Sequence, residues 1–546
     1  MNKVVDKIKR VNESIKRNGL NTEFRRLFQL IKCGKAIPDE YKEWMIMNEP
    51  DEKNLKEARE YKSWFNCSFA IVSEDEKIVK SLNRQIYKNW HQISIKEVLE
   101  DKSDYIVFLG NNIELADFAL YSLVKTIEAK DEIAFYGDND YIVDGKRVNP
   151  QFKPGFGIDT ILSRNYIGDL LVVNNVFLKA HPELLDDLSE ELIYDLVLRI
   201  SNNTREIVHI PQILYHSLDK KEPNVEAQKE VITRYLKRNN IEYTSIKDGM
   251  YKGDFKVEYK IQGNPKVSIV VPNKDHIEDL EKLMNSIKKS TYENYEVVIV
   301  ENNSTQKGTF EYYERIQQAD SRIRVEKLEI NYFNYSRIVN FGVEKSIGEY
   351  VLLLNNDIEI LTPDWIEQML MYAQRDDVGI CGIKLYFPDK TIQHAGVTIG
   401  TRGLAGHRYR DISEAEFSNE DYINIVQDLS AVTAACFLVK KELYDKVLGF
   451  DEKLAVAFND VDFCLKIRKL GLLIVYNPFA NGFHYESKSR GEDTENKEKQ
   501  ERFAKEYGLF VTRWQEVISK GDPYYNFNYR LDTDIPKINY NKIVRF

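Results

Sequence analysis

Apolar residues fall in short runs at 267–271, 295–300, 323–327 and 350–354, and between them apolar positions recur at helical spacing. The pattern predicts strands at those positions and helices over 277–288, 309–319 and 336–345. Strands that read as continuous apolar runs are buried on both faces. The order therefore predicts an α/β domain, with a mostly parallel, Rossmann-like sheet covered by helices on both sides. Ligands of such sheets sit beyond the carboxyl ends of the strands. Three polar clusters fall there: Pro272-Asn273-Lys274-Asp275, Glu301-Asn302-Asn303-Ser304 and Asn355-Asn356-Asp357.

The pattern occurs twice. SIVVPNKD (268–275) and SIKKSTYENYEVVIV (286–300) echo FAIVSED (69–75) and SLNRQIYKNWHQISI (81–95). VEKSIGEYVLLLNNDIEI (343–360) pairs with VLEDKSDYIVFLGNNIEL (98–115), and FNDVDFCLKI (458–467) with LIYDLVLRI (192–200). His484 and His216 follow the last pair at similar distance. Matched blocks in one order mark a duplicated domain. The first copy lacks a counterpart to most of 301–340, so its second βα unit is deleted. The expected organisation is a basic helical segment (1–60), a degenerate copy (61–250), a catalytic copy (264–520) and a tail (521–546). A polar linker with Gly and Pro is expected near 245–265.

At 546 residues the chain needs about two to four domains. Its net charge of −10 argues against nucleic-acid binding, which needs a basic footprint. The five cysteines, Cys33, Cys67, Cys381, Cys436 and Cys464, have no zinc-ligand spacing and read as free thiols in a reducing compartment. The N-terminus lacks the apolar stretch of a signal peptide, and no segment approaches the ~20 apolar residues that span a bilayer. A cytoplasmic protein is expected, with any membrane contact at the inner face through its basic N-terminus. Residues 1–35 carry about ten Lys or Arg against about three acids, with Val4, Val5, Ile8, Val11 and Ile15 near helical spacing. Such a helix either lies on anionic lipid or packs one face on the next domain. The lack of Trp or Phe before Phe24 favours packing.

Carboxylates and amides on neighbouring strand ends can read a nucleotide and hold a divalent cation. A departing diphosphate gathers negative charge, which Mg²⁺ or Mn²⁺ neutralises, and these hard ions take oxygen ligands. Asp357, closing an apolar strand, suits that role; an Asx turn is the plainer alternative.

SIVVPNKD, VIVENNS, LLLNNDIEI, FNDVDFCLKIRKLG and HYESKSRG, in that order, resemble family 2 glycosyltransferases of the GT-A fold. Within that family they are similar to rhamnosyltransferase-like enzymes of bacterial surface polysaccharide synthesis, as is the tail segment GDPYYNFNYRLD (521–532). The resemblance implies a nucleotide-diphosphate sugar donor and a glycan or lipid-linked acceptor. Pro272 and Asp275 would flank the base, and Glu301, with Asn303 beside it, would read its edge. Asn340 matches an asparagine of the helix before the metal strand. Asn355, Asn356 and Asp357 match the metal-binding Asp-x-Asp, with Asn355 in place of the first acid, which leaves one metal carboxylate. His484 would complete the metal site, although a lone histidine is often a core residue. Ser489 and Arg490 would contact the diphosphate, since a guanidinium fork matches phosphate geometry.

The resemblance also implies a catalytic base in Phe458-Asn459-Asp460-Val461-Asp462. An inverting transfer needs a carboxylate to take the proton of the attacking hydroxyl. Asp460 and Asp462 point to different faces of a helix. Asp460 matches the base, with Asn459 where the family's Glu stands, and the helix dipole would keep it ionised; N-capping is the alternative. Asp462 looks structural, because the first copy keeps it as Asp195. His394, Thr433 and Asn459 are assigned to the donor and acceptor pockets; for the run 431–436, close packing on the sheet is the alternative.

The first copy reads Gly110-Asn111-Asn112 at the metal position and Ile193 at the base, so it should do no chemistry. Asp138-Asn139-Asp140 lies beyond the metal strand and reads as a turn. Two rivals remain at this stage. A sugar nucleotidyltransferase would carry a glycine-rich phosphate loop, which Pro-Asn-Lys-Asp lacks. A non-catalytic glycan-binding scaffold would not need Asp357, Asp460 and His484.

Overall fold

The computed structural model describes residues 40–61, 67–73, 75–130, 132–330, 332–418, 421–485 and 497–540. Residues 1–39 of the N-terminal segment, and Ser489 and Arg490, lie outside the described residues. The chain forms two compact units, Met1–Glu57 with Ile538–Phe546, and Ala58–Lys537. The first shows two short helices' worth of sequence, with Glu40–Asn48 lying wholly within it. No helix among the described residues is long and apolar enough to cross a membrane.

The second unit contains two large sheets. The first comprises β1 (Phe69–Val72), β2 (Trp90–Ile93), β3 (Tyr105–Leu109), β4 (Ile113–Leu115), β5 (Ala134–Val143), β6 (Lys146–Gln151), β7 (Leu170–Asn174) and β8 (Ile207–Ser217). Its order is β2-β1-β3-β7-β5-β8-β4, with β6 beside β5. A hairpin of β9 (Tyr243–Asp248) and β10 (Phe255–Tyr259) follows. The second sheet is built from β11 (Val267–Asn273), β12 (Tyr295–Glu301), β13 (Ile323–Lys327), β14 (Tyr350–Leu354), β15 (Ile358–Ile360) and β16 (Val378–Tyr386). Then come β17 (Ile392–His394), β18 (Val397–Ile399), β19 (Ala405–His407), β20 (Gln427–Leu429), β21 (Cys436–Lys440) and β22 (Leu473–His484). Its order is β13-β12-β11-β14-β21-β16-β22-β15.

Strand for strand the two orders coincide once β13 is removed. The half β13-β12-β11-β14 is parallel, and β21 reverses direction against β14; β1, β2, β3 and β7 do the same in the first sheet. The missing pieces of the first copy are β13 and the helices Lys307–Ala319 and Tyr335–Lys345, as the length difference implies. The predicted strands at 323–327 and 350–354 match β13 and β14, and the other edges move by one or two residues.

Three expectations need correction. The segment expected as a linker holds the hairpin β9–β10, whose Phe255, Val257 and Tyr259 are buried; the alternation in Phe-Lys-Val-Glu-Tyr outweighs the flanking Gly and Pro. Asp138 and Asp140 lie inside β5, fully buried, and not in a turn. His216 is not the counterpart of His484. Ile358 pairs with His484 and Ile113 pairs with Ser217, so Ser217 holds that position and His216 sits one residue off, on the opposite face, beside Asp140.

The helix Tyr335–Lys345 rides close on the sheet because of Gly342. A Cβ there would lie 2.4 Å from Val270 Cγ1 and 2.7 Å from Val300 Cγ2. The two copies are tied by charge and by the tail. Arg164 donates to both oxygens of Asp254 at 2.6 and 2.8 Å, and Arg375 pairs with buried Asp159. In the tail, Asp522 accepts from Ile399 N–H (2.8 Å) and Ser430 Oγ (2.7 Å), on the second copy. Asn526 and Asn528 donate to Asp138 of the first at 3.0 and 3.1 Å.

Candidate active site

Parallel register brings the three polar clusters to one edge. Asn273 lies opposite Glu301 across β11 and β12, and Val270 opposite Leu353 across β11 and β14. Side chains then link the strand ends. Asn356 Nδ2 donates to Asn273 Oδ1 (2.7 Å), Asn273 Nδ2 to the Tyr313 hydroxyl (2.7 Å), and that hydroxyl to Glu301 Oε2 (2.7 Å). Glu301 also accepts the N–H and hydroxyl of Ser304, both at 2.6 Å. It is buried, and a carboxylate with about four lone-pair sites keeps capacity for a further donor. Asn303, at φ 59°, donates to the Ile330 carbonyl. Pro272 is half-buried at the end of β11.

Asp275 and Asn340 serve the scaffold. The Asp275 carboxylate accepts from the N–H groups of Thr305 (3.0 Å) and Gln306 (2.9 Å) and from the Thr309 hydroxyl (3.2 Å). It closes the first turn of the helix Lys307–Ala319, where negative charge is favoured. Burial alone would raise its pKa, but these donors outweigh it and hold it below the usual aspartate value. Asn340 accepts from the Tyr444 hydroxyl (2.6 Å) and Phe450 N–H (3.0 Å) and donates to the Phe450 carbonyl (2.9 Å). Asn340 lies on the helix before β14, as the resemblance implies, and its amide fastens the 444–452 loop.

At the end of β14 the chain turns straight into β15, which pairs with β22. That pairing sets His484 beside Asp357, with Nε2 3.2 Å from Oδ1. The imidazole is buried and its Nδ1 has no hydrogen-bond partner among the described residues. A buried polar atom left unpaired costs free energy and asks for an explanation. Asn355 is not a second metal acid: its Oδ1 accepts from the Tyr335 hydroxyl at 3.0 Å.

Asp460 is the second residue of the helix Asn459–Arg468. The N-cap is Phe458, in the left-handed region at φ 63°, so capping is not the role of Asp460. Its Oδ1 accepts Val461 N–H (2.8 Å) and its Oδ2 accepts Ala434 N–H (3.3 Å). Burial raises its pKa above the usual aspartate value, and these N–H groups with the Thr433 hydroxyl offset only part of the rise. The N–H groups at the helix start favour the ionised form, while burial opposes it and is the larger of the two effects. Asp462, two residues on, faces the other way, onto Arg513 (2.7 Å) and Trp514 Nε1 (2.9 Å), and is fully buried. Asn459 is also buried, donating to Ser336 Oγ at 3.2 Å, and so underlies the helix start and does not line a pocket.

Tyr335 joins the two centres and was not singled out by sequence. Its hydroxyl reaches both Asn355 Oδ1 (3.0 Å) and the Ala434 carbonyl (3.2 Å). Burial raises its pKa first, and the charges of Asp460 and Asp357 add to the rise, so it lies near both carboxylates. Its only sequence signal is a position at the start of the predicted helix 336–345. Tyr313 was also missed, although it shares an apolar helical face with Tyr312 and Ile316. Thr433 contacts Asp460 and His394 contacts Thr433, both buried: Thr433 N–H donates to His394 Nε2 at 3.4 Å.

A parallel half, an antiparallel return strand and an acid–imidazole pair set where β15 follows β14 and pairs with β22 make up a GT-A fold. Residues 268–448 match the family model described as "Glycosyl transferase family 2". This segment, less than half of the chain, is thus similar to that family. It is 33% identical over 505 residues to "Uncharacterized protein y4gI" of Sinorhizobium fredii, covering 87% of this chain and 55% of that protein. It is 33% identical over 442 residues to "O-antigen biosynthesis protein RfbC" of Myxococcus xanthus, covering 78% of this chain and 34% of that protein. The chain thus spans about half or less of the length of these curated relatives. Among solved structures it is similar to GalNAc-T7 with UDP, GalNAc and Mn²⁺, at 14% identity and TM-score 0.40, over 53% of this chain and 57% of that one.

Proposed function

We propose that the 264–520 half transfers a sugar, with inversion, from a nucleotide-diphosphate sugar to a glycan or lipid-linked glycan acceptor. The setting we propose is bacterial surface polysaccharide or glycoconjugate synthesis, a role carried in the name of the Myxococcus xanthus relative. The observation that carries the chemistry is the pairing of Asp357 and His484 at 3.2 Å, with Asp460 across Tyr335 from them. The acceptor hydroxyl oxygen forms a bond to the anomeric carbon from one side as the bond to the diphosphate breaks on the other. Asp460 takes the hydroxyl proton. Glu301, Asn303 and Asn356 hold the nucleotide side of the cleft, with Pro272 against the base.

Asp357 and His484 would hold Mn²⁺ or Mg²⁺. The fit rests on one carboxylate oxygen converging with one imidazole, whose second nitrogen is buried without a partner among the described residues. A carboxylate suits both hard cations, and the imidazole favours Mn²⁺ of the two. When bound, the cation neutralises the charge gathering on the departing diphosphate. Ser489 and Arg490 would add donors to that diphosphate. The 61–250 half, with Asn112 and Ser217 at the metal positions and Ile193 at the base position, would support the catalytic half without chemistry of its own.

The test is a panel of UDP-, GDP- and dTDP-sugars incubated with Mn²⁺ or Mg²⁺, with and without a lipid extract as acceptor, reading release of nucleoside diphosphate. Metal-dependent release stimulated by acceptor supports the proposal. No turnover and no nucleotide binding across the panel would overturn it in favour of a scaffold.

A further inference from the structure

We propose that His394 is a positioning residue for Asp460, acting through the peptide N–H of Thr433; this rests on the assignment of Asp460 as base. The segment Thr433-Ala434-Ala435 wraps the Asp460 carboxylate. Ala434 N–H donates to Oδ2 at 3.3 Å, and the Thr433 hydroxyl bonds the same carboxylate. Within the segment the Thr433 hydroxyl accepts Ala435 N–H at 3.3 Å, the Ala434 carbonyl faces the Tyr335 hydroxyl, and the Ala435 carbonyl accepts Asn355 N–H at 2.9 Å. His394 supplies a rigid anchor. It ends β17, pairs in register with Leu385 of β16, and is only 1% exposed.

The ring's hydrogen bonds fix its tautomer. A neutral imidazole has one donor and one acceptor nitrogen. Nε2 accepts Thr433 N–H at 3.4 Å, so the proton sits on Nδ1 and is donated to His407 Nδ1, 2.9 Å away. His407 then keeps its own proton on Nε2. Burial pushes the His394 pKa well below the ordinary histidine value, and nearby His407, His484 and Arg410 push the same way. The ring therefore stays a neutral acceptor. It orients the peptide next to the base without adding a positive charge that would weaken the carboxylate as a proton acceptor.

The substitutions that separate this from a packing role are His394→Gln and His394→Leu. The glutamine amide oxygen reaches where Nε2 stands and can accept Thr433 N–H; leucine fills similar space with no acceptor. The donor is whichever of UDP-glucose, UDP-N-acetylglucosamine, GDP-mannose or dTDP-rhamnose the wild-type protein turns over with Mn²⁺. Leucine is expected to lower kcat by about tenfold to a hundredfold, as small misplacements of catalytic groups do, with donor KM within about twofold. Glutamine should restore most of the loss. Equal effects of both variants, or a change confined to KM, would overturn the proposal.

Should leucine at 394 prevent folding, His394→Phe keeps a flat ring with no acceptor and should lose kcat as leucine does; Thr433→Ser and Thr433→Val test the next contact, the Thr433 hydroxyl on Asp460, where serine should retain kcat and valine should lose it. An active Asp460→Asn variant in the same series would refute the base assignment itself, whereas an inactive one beside a fully active His394→Leu refutes only the positioning link. Crystal structures of wild type and His394→Leu decide the contact without any donor. A 433–435 segment shifted from Asp460 is expected, and an unmoved one would overturn the link.

Discussion

His484 Nε2 lies 3.2 Å from Asp357 Oδ1 because β15 and β22 pair Ile358 with His484. Two residues 127 positions apart in sequence are thus fixed by a three-residue strand. Removing either should therefore do the same thing. Asp357→Asn and His484→Ala are each expected to lower metal-dependent donor turnover by about a hundredfold or more. Their effects should not add, since both act on one cation. Mn²⁺ titrations of turnover check this: the half-saturating concentration should rise in both variants. A variant that loses rate with unchanged Mn²⁺ dependence would count against the shared site.

Asp460 carries an opposed pair of consequences. As general base its loss should cost about 10²- to 10⁴-fold in kcat, so Asp460→Asn should bind UDP or GDP normally yet transfer almost nothing. Its folded pKa is raised above the unfolded value, chiefly by burial. Any stability it contributes is then present in the protonated form at low pH and is lost as pH rises through the folded pKa. At neutral pH the buried charge is a cost. Asp460→Asn, always neutral, should melt higher than wild type at pH 7, with the gap closing toward pH 4. The acidic limb of kcat should likewise lie above the ordinary aspartate value of 3.8, since activity needs the ionised form. Thr433, Tyr335 and Cys464 are polar groups that interact with it.

Asp462 should behave in the opposite way. It is fully buried among Arg513, Lys466 and Trp514, and its counterpart Asp195 pairs with Arg199 and Arg238 in the first copy. In both copies an acid on this helix accepts a cation from the helix that follows β8 or β22. Asp462→Ala leaves buried donors unpaired and should cost about 3–5 kcal/mol. Urea denaturation would read the loss. The folded fraction should still bind nucleotide, because this carboxylate faces away from the cleft.

Much of this was legible in the sequence because the signals are local. Apolar runs gave the strands of the parallel half, and the strand-end clusters followed from their edges. The deletion in the first copy was legible as a length difference and returns as the absent β13. What could not be read depends on long-range partners. Asp275 and Asn340 look like ligand residues by motif, yet their carboxylate and amide are spent on the helix at 307 and the loop at 450. No local pattern reveals which donors a polar side chain will meet. The His216 pairing failed for another reason: spacing along a strand does not resolve a one-residue shift, and that shift reverses the face. Asp138 failed because a strand rich in Asp and Asn reads as a turn until its buried partners Asn526, Asn528 and His209 arrive from elsewhere.

Gly342 sets how closely the helix Tyr335–Lys345 can approach β11 and β12. An alanine would put its Cβ 2.4 Å from Val270 Cγ1, so either the valines or the helix must move. Overpacking of this kind costs about 1–3 kcal/mol. The helix starts at Tyr335, so a displaced helix also moves the hydroxyl that reaches Asn355 and the Ala434 carbonyl. Gly342→Ala should therefore lower both melting temperature and kcat, although it touches no substrate. Val270→Ala in the same background should recover part of both.

The tail should matter to the stability of the first copy. Asn526 donates to the Asp138 carboxylate and to the Lys153 carbonyl (2.9 Å), and Asn528 donates to Asp138 and to the Pro211 carbonyl (3.1 Å). Asp138 is fully buried, so each lost donor weakens the solvation of a charge that water cannot reach. Asn526→Leu keeps the branched shape but removes the bonds to Asp138 and Lys153 and the acceptor of Asn528 N–H (2.9 Å), and should cost about 1–3 kcal/mol in urea denaturation. His209 and the Lys153 N–H also contact Asp138, at 2.7 and 2.9 Å, and keep the loss from growing larger. Asp138→Asn combined with Asn526→Leu should cost less than the sum of the two single changes, because removing the charge removes the need for its donor. Full additivity would mean that the tail holds the first copy by packing alone.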